Sequence, residues 1–332
     1  MCRARAVSWL RRVRRPSGAN GADALAHTVS RQRRRRVVAD LMLVSVAAIW
    51  GSAFSAQRVA SAHVGHLTYN GLRFLLAVGI LTVVLRGRWR SIRRAEWRGG
   101  ILAGLILAAA SAFQQAGIAF TTAGKAGFIT GLYVVLVPLF LALIWRQWPT
   151  TMAWAASLVA TVGLCLLSAQ GQWTLQLGDA LELGGAVLWA LHVILVGRLV
   201  KHADPLRLSW VQYLVCGVAN TLLGLALERD TLPGLYSAWW AVLYGGAISV
   251  GLGYTLQAYG QRDAPATDAA VVLSMESVFA ALFGWLLLRE TLTAAQIAGC
   301  ALMLGGMFLA QVSSRAGPAE GQPAGSTGPD AA

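Results

Sequence analysis

The sequence predicts an all-α integral membrane protein with ten transmembrane helices in two inverted five-helix repeats, on three observations. Apolar residues make up 56% of the chain and charged residues only 13%, where a soluble domain carries about 25% charged. Hydrophobic runs of spanning length follow one another, parted by polar or Gly/Pro breaks. The chain also matches itself when slid by 139 residues.

Residues 1–37 open with Arg3, Arg5, Arg11, Arg12, Arg14 and Arg15 and close with Arg31 and Arg33 to Arg36. This stretch reads as a disordered basic cytoplasmic tail. It leads straight into a spanning run, without the short apolar region and cleavage site of a signal peptide. The first repeat, 38–170, holds the runs Leu41 to Val59, Tyr69 to Leu85, Gly99 to Phe120, Ala126 to Trp145 and Met152 to Ala169. The second, 178–313, holds Ala180 to Val200, Leu208 to Leu227, Trp239 to Tyr259, Ala269 to Leu288 and Leu292 to Val312. Residues 314–332 are rich in Gly, Pro and Ala and read as a flexible cytoplasmic tail.

With an even number of spans both tails share one side. Of the 28 Lys and Arg, 23 fall on the tail side and four opposite, with Arg73 inside a span. The positive-inside rule then places both termini in the cytoplasm of a cell (cytoplasmic or inner) membrane protein. The net charge of +14 is an orientation signal, because the arginine-rich tail lacks the interleaved aromatics and recognition fold of a nucleic-acid binder. Cys2, Cys165, Cys216 and Cys300 have no CxxC spacing, so no disulfide framework or metal site is expected. No P-loop, HExxH or nucleophile elbow occurs, and no cofactor is expected.

The 139-residue shift lays Trp50 on Trp189, Phe74 on Tyr213 and Phe140 on Phe279, one register serving three spans. A three-residue slip carries the match on, with Thr151 on Thr293 and Gly163 on Gly305. Five is odd, so the second unit must lie upside down relative to the first. Secondary transporters use such inverted halves to reach inward-open and outward-open states of similar energy around a midplane site.

Two stretches, TTAGKAGFITGLYVVLVP from Thr121 and LSMESVFAALFGWLLLRE from Leu273, resemble the fourth- and ninth-helix motifs of EamA-type transporters of the drug/metabolite transporter superfamily. The start of the sixth span, GDALELGGAVLWALH from Gly178, is similar too. The resemblance covers about residues 38 to 313 and implies ten helices in two EamA repeats that move small metabolites or drugs, often by export. Two departures stand out. The family's frequent Glu-Pro pair is Glu276-Ser277 here, and the acidic residue after the ninth helix, Glu290, has no counterpart after the fourth, where Trp148-Pro149-Thr150 stands. Pro138 should kink its own helix.

Glu276 is the acidic residue in an otherwise apolar or small stretch, about 10 Å from one membrane face by helical rise. A carboxyl at that depth must be neutralised, paired or set against a wet cavity. Trp50, about 18 Å from the inner face, and Trp189 and His192, about 15 and 20 Å from the outer, share its layer. Tyr133 lies just above it, about 10 Å from the outside. Arg73 lies about 6 Å below the outer face, leaving an axial gap of about 14 Å to Glu276, too long for a direct ion pair. Its two readings are snorkelling to the interface and an anion contact on a pathway. Low dielectric disfavours a charged carboxylate, so Glu276 is expected to take a coupling proton or a substrate amine, with His192 nearby and the two tryptophans as walls.

The other polar positions carry less. Gln114 and Gln115 point about 100° apart, so one of them can face a cavity. Gln212 and Asn220 suit interhelical hydrogen bonding as well as ligand binding. Asp179 and Glu182 suit the dipole at the start of the sixth span. Gly245, Ser249 and Gly253 form a small-residue stripe for close helix contact. The expected function is therefore alternating-access transport of a small organic solute, with export the direction that the resemblance implies. A multi-pass enzyme or sensor using the midplane cavity without translocation is the alternative, and it should gather more polar residues at one depth.

Overall fold

The computed structural model describes residues 18–120, 123–168, 176–228, 233–288 and 292–316. The expectations for the tail residues 1–17 and 317–332, for Glu290, and for Arg229 and Arg289, two of the four basic residues counted opposite the tails, lie outside these described residues. Helix α1 is Gly18–Ser61, α2 His66–Leu85, α3 Arg94–Phe120, α4 Ala123–Gly131, α5 Tyr133–Leu143 and α6 Thr151–Ser168. The second half comprises α7 Leu177–Leu199, α8 Pro205–Leu227, α9 Leu235–Leu243, the π-helical Tyr244–Tyr254, α10 Thr255–Asp263, α11 Ala266–Leu273, α12 Glu276–Leu288 and α13 Ala294–Ala316. Among the described residues, eight helical segments are long and apolar enough to cross a membrane, and Thr151–Leu167 and Ala294–Ala310 are shorter apolar helices.

One boundary differs from the sequence reading. Residues 18–37, expected within a disordered tail, continue α1 as helix. Ala and Arg are strong helix formers, and an existing membrane helix removes the nucleation cost of extending it.

Caps fix where the helices begin. Asp204 Oδ1 accepts from the backbone N–H groups of Leu206 and Arg207 at 3.0 and 3.1 Å, with Pro205 at the first helical position of α8. Asp179 accepts from the N–H of Gln176 at 2.9 Å in a reciprocal box at the start of α7. The start of α2 is capped from a distance: Glu228, just past α8, accepts from the N–H groups of Leu67 and Thr68 at 2.9 and 2.8 Å. Helix α2 ends on Arg86 at φ 47° and Gly87 at φ 83°, a left-handed stop for which glycine has the freedom.

The packing is reciprocal between halves. Helix α2 packs on its counterpart α8, and α6 on its counterpart α13. The third span, α3, packs on α7 and α8, as the eighth, containing the π segment, packs on α1 and α2. The fourth span, α4 with α5, packs on α7, as the ninth, α11 with α12, packs on α1. Exchanging each span for the one five later returns the same partners, the signature of a two-fold relation. Small residues allow the closest of these approaches: a Cβ on Gly163 of α6 would sit 2.6 Å from the carbonyl oxygen of Gly299 on α13, and the reverse holds.

The fourth and ninth spans are both broken. In the fourth, Leu132 N–H reaches Ile129 O at 3.1 Å and Val135 N–H reaches Leu132 O at 3.0 Å, tightening one turn. Pro138 itself sits inside α5, so the break falls more than a turn before it. The missing N–H of Pro138 and the crowding of its ring against Val134 O weaken the preceding turn, where the chain relaxes. In the ninth, Met275 N–H bonds to Val272 O and Ser277 N–H to Ser274 O, both at 3.2 Å. The two breaks are not at matching positions, since the 139-residue register carries Leu132 to Val271. The second break lies directly beneath Glu276.

Candidate functional site

The breaks and the π segment converge on a cavity with about 450 Å³ of empty space, counting its mouth. Glu276 is the first residue of α12, where the helix N-terminus favours a negative charge. It is buried, and its Oε1 accepts the phenolic hydrogen of Tyr133 at 3.3 Å. The carboxyl from the second repeat thus takes its partner from the first.

Arg73 of α2 lines the same cavity. Only 2% of it is exposed, its Nε and Nη2 have no hydrogen-bond partner, and it makes no ion pair within 4 Å among the described residues. The guanidinium lies 5.1 Å from the Tyr69 ring centroid and 5.3 Å from that of Phe74. Cation–π contact compensates part of its desolvation. Two nitrogens remain for an acceptor.

Trp50 and Trp189 both wall the cavity, and both rest on Tyr254, at centroid distances of 4.6 and 5.9 Å. Trp50 donates its indole N–H to Ser249 O at 3.2 Å. Ser249 belongs to the π segment, whose wider turn re-aims side chains and carbonyls, as such segments do at functional sites. His192 is placed differently from the expectation. It is fully buried but does not line the cavity; it stands edge-on behind Trp189 and Tyr254 and bonds Gln212 Oε1 at 3.0 Å. Its position supports the aromatic wall.

Several lining residues were not singled out by sequence: Phe54, Gln57, Thr130, Val193, Tyr254 and Gln257. Gln114 faces the cavity, while Gln115 donates to Gln57 O at 3.0 Å, as their angular separation requires. Thr130 joins the cavity to a second buried carboxyl: it donates to Glu182 Oε2 at 3.0 Å, and Gln114 Nε2 donates to Thr130 at 3.4 Å. Glu182, read from sequence as complementing a helix dipole, is fully buried and leaves Oε1 without a partner. The signal for it was its position one turn past a residue that already capped the helix. Among the described residues, no group of three or more His, Cys, Asp or Glu could hold a metal ion.

A two-fold bundle of broken membrane helices around a central charged cavity is the architecture of a transporter. The EamA-like transporter family matches residues 37–169 and 176–311, and the chain belongs to that family. An uncharacterized transporter of Archaeoglobus fulgidus is 30% identical over 81% of this chain and 84% of its own. The uncharacterized transporter YoaV of Bacillus subtilis is 26% identical over 81% and 95%. The threonine/homoserine exporter RhtA of Salmonella typhimurium is 29% identical over 51% of this chain and 58% of its own. A protein of known crystal structure shares the fold with a TM-score of 0.69 at 20% identity, covering 83% of this chain and 97% of that one.

Proposed function

We propose that the protein is a secondary transporter that exports a small organic solute across the cytoplasmic membrane by alternating access, with both termini in the cytoplasm. One observation carries the reading. Within a cavity between two inverted repeats, Glu276 and Arg73 present a carboxyl and a guanidinium to one space, and no ion pair joins them among the described residues. A solute with an anionic group can use the two free nitrogens of Arg73, and its ammonium, or a coupling proton, can use Glu276. Trp50, Trp189 and Tyr133 then enclose its apolar part. The exporter name of one relative supports an amino-acid-like solute and the outward direction.

The test is uptake into sealed proteoliposomes with a panel of labelled amino acids and amines, with and without an imposed pH gradient. Flux that requires a sealed vesicle supports the reading. Chemical conversion of a panel member by detergent-solubilised protein would instead indicate an intramembrane enzyme.

A further inference from the structure

A second concavity, with about 830 Å³ of empty space, lies where the middle of α1 meets the end of α10, on the side that the proposed topology gives to the cytoplasm. From α1 it is lined by Arg31, Arg34, Arg35, Val38, Ala39 and Met42. The positions 31, 34, 35, 38 and 42 fall on one helical face, cationic toward the cytoplasm and apolar toward the bilayer. From α10 come Tyr259, Arg262 and Asp263. The lining therefore holds four guanidinium groups and one carboxylate.

The neighbouring Arg36 explains why this face is free. It turns the other way, donating to Asp268 Oδ2 at 2.6 Å, Asp40 Oδ1 at 3.2 Å and Asp263 O at 3.4 Å. By contrast, Arg31, Arg34, Arg35 and Arg262 form no ion pair within 4 Å among the described residues, and all four are exposed. Below them, Val38 is 43% and Leu41 62% exposed, apolar surface that only lipid covers in a membrane.

We propose that this groove binds one anionic phospholipid from the cytoplasmic leaflet, with its phosphodiester among Arg31, Arg34, Arg35 and Arg262 and an acyl chain along Val38 and Met42. The vertical order of charge and apolar surface matches a lipid better than free phosphate, which has no use for the apolar half. Tyr259 adds to the lining an aromatic ring with a polar end, a residue type enriched at headgroup level.

The experiment is native mass spectrometry of the full chain from nanodiscs of phosphatidylglycerol or phosphatidylcholine, counting retained lipid. Wild type is expected to retain one phosphatidylglycerol and little phosphatidylcholine. Each arginine near an anionic surface contributes roughly fivefold, so the triple variant Arg34→Gln, Arg35→Gln, Arg262→Gln should lose at least about tenfold in retention. The charge-matched variant Arg90→Gln, Arg94→Gln, Arg98→Gln, on the exposed basic stretch after α2, should retain the lipid. If the triple variant does not fold, Arg262→Gln alone replaces it with a smaller loss expected. Equal loss in the charge-matched variant, equal retention of phosphatidylcholine, or displacement of the lipid by inorganic phosphate at equimolar concentration would overturn the assignment.

Discussion

The hydroxyl of Tyr133 and the carboxyl of Glu276 meet at 3.3 Å across the two repeats, each from the first turn of a half-helix that follows a break. In the proposed alternating-access cycle the repeats move against each other, and a bond that joins them is placed to change. Tyr133→Phe removes the donor to a carboxyl, worth about 1.5–3 kcal/mol when that carboxyl is charged. Solute flux should fall about tenfold, by that same energy scale, with little change in the amount of folded protein.

Arg73 separates a structural role from a binding one. Replacing an unpaired buried cation by an apolar residue is neutral or stabilising when the charge has no partner to abandon. Arg73→Leu should therefore leave the thermal unfolding temperature in detergent unchanged or raised, while solute flux falls below about a tenth if one charge-assisted contact is lost. A large drop in unfolding temperature would mean that Arg73 is held for stability.

Gly51 sets how closely α1 meets the half-helix that carries Glu276. A Cβ there would lie 2.6 Å from Glu276 O and 2.7 Å from the Phe279 Cβ. Gly51→Val must push α12 away, costing about 1–3 kcal/mol and lowering the unfolding temperature together with transport. Gly79, where a Cβ meets nothing within 4 Å, is the control, and Gly79→Ala should be silent.

Helices α1 and α11 are tied by Arg36 and Asp268, both largely buried. Asp268→Asn leaves the guanidinium short of a charged partner, and a loss of about 1–3 kcal/mol is expected in thermal unfolding. Adding Arg36→Gln should restore part of it, and the coupling in that double-mutant cycle measures the tie.

Much of this was legible in the sequence because membranes impose strong patterns. Run length located the spans, and the constant 139-residue register disclosed the repeat. Glu276, Arg73, Tyr133 and the two tryptophans do line one cavity. What depth alone could not resolve was which way a side chain faces, so His192, correct in depth, stands behind the wall. Tyr254 went unmarked because a buried aromatic in an apolar span carries no periodic signal, and the π segment beside it shifts the helical register on which facing is reckoned. Glu182 had a sufficient explanation at the helix start, yet it lies on the buried face of that helix, where a carboxyl needs a partner such as Thr130. The helical continuation of α1 through residues 18–37 was hidden by composition, since arginine serves both tails and helices.

The most direct test of the account is solute flux in sealed proteoliposomes carrying wild type or Glu276→Gln, driven by a solute gradient with and without a pH gradient. Gln keeps an acceptor for Tyr133, so the variant should fold and reconstitute as wild type does. Wild-type flux is expected to respond to the pH gradient or to select solutes bearing an ammonium group, and Glu276→Gln to lose that response or selectivity along with most of its flux. Full flux in the variant, with wild-type dependence on pH and on the solute's amine, would contradict it.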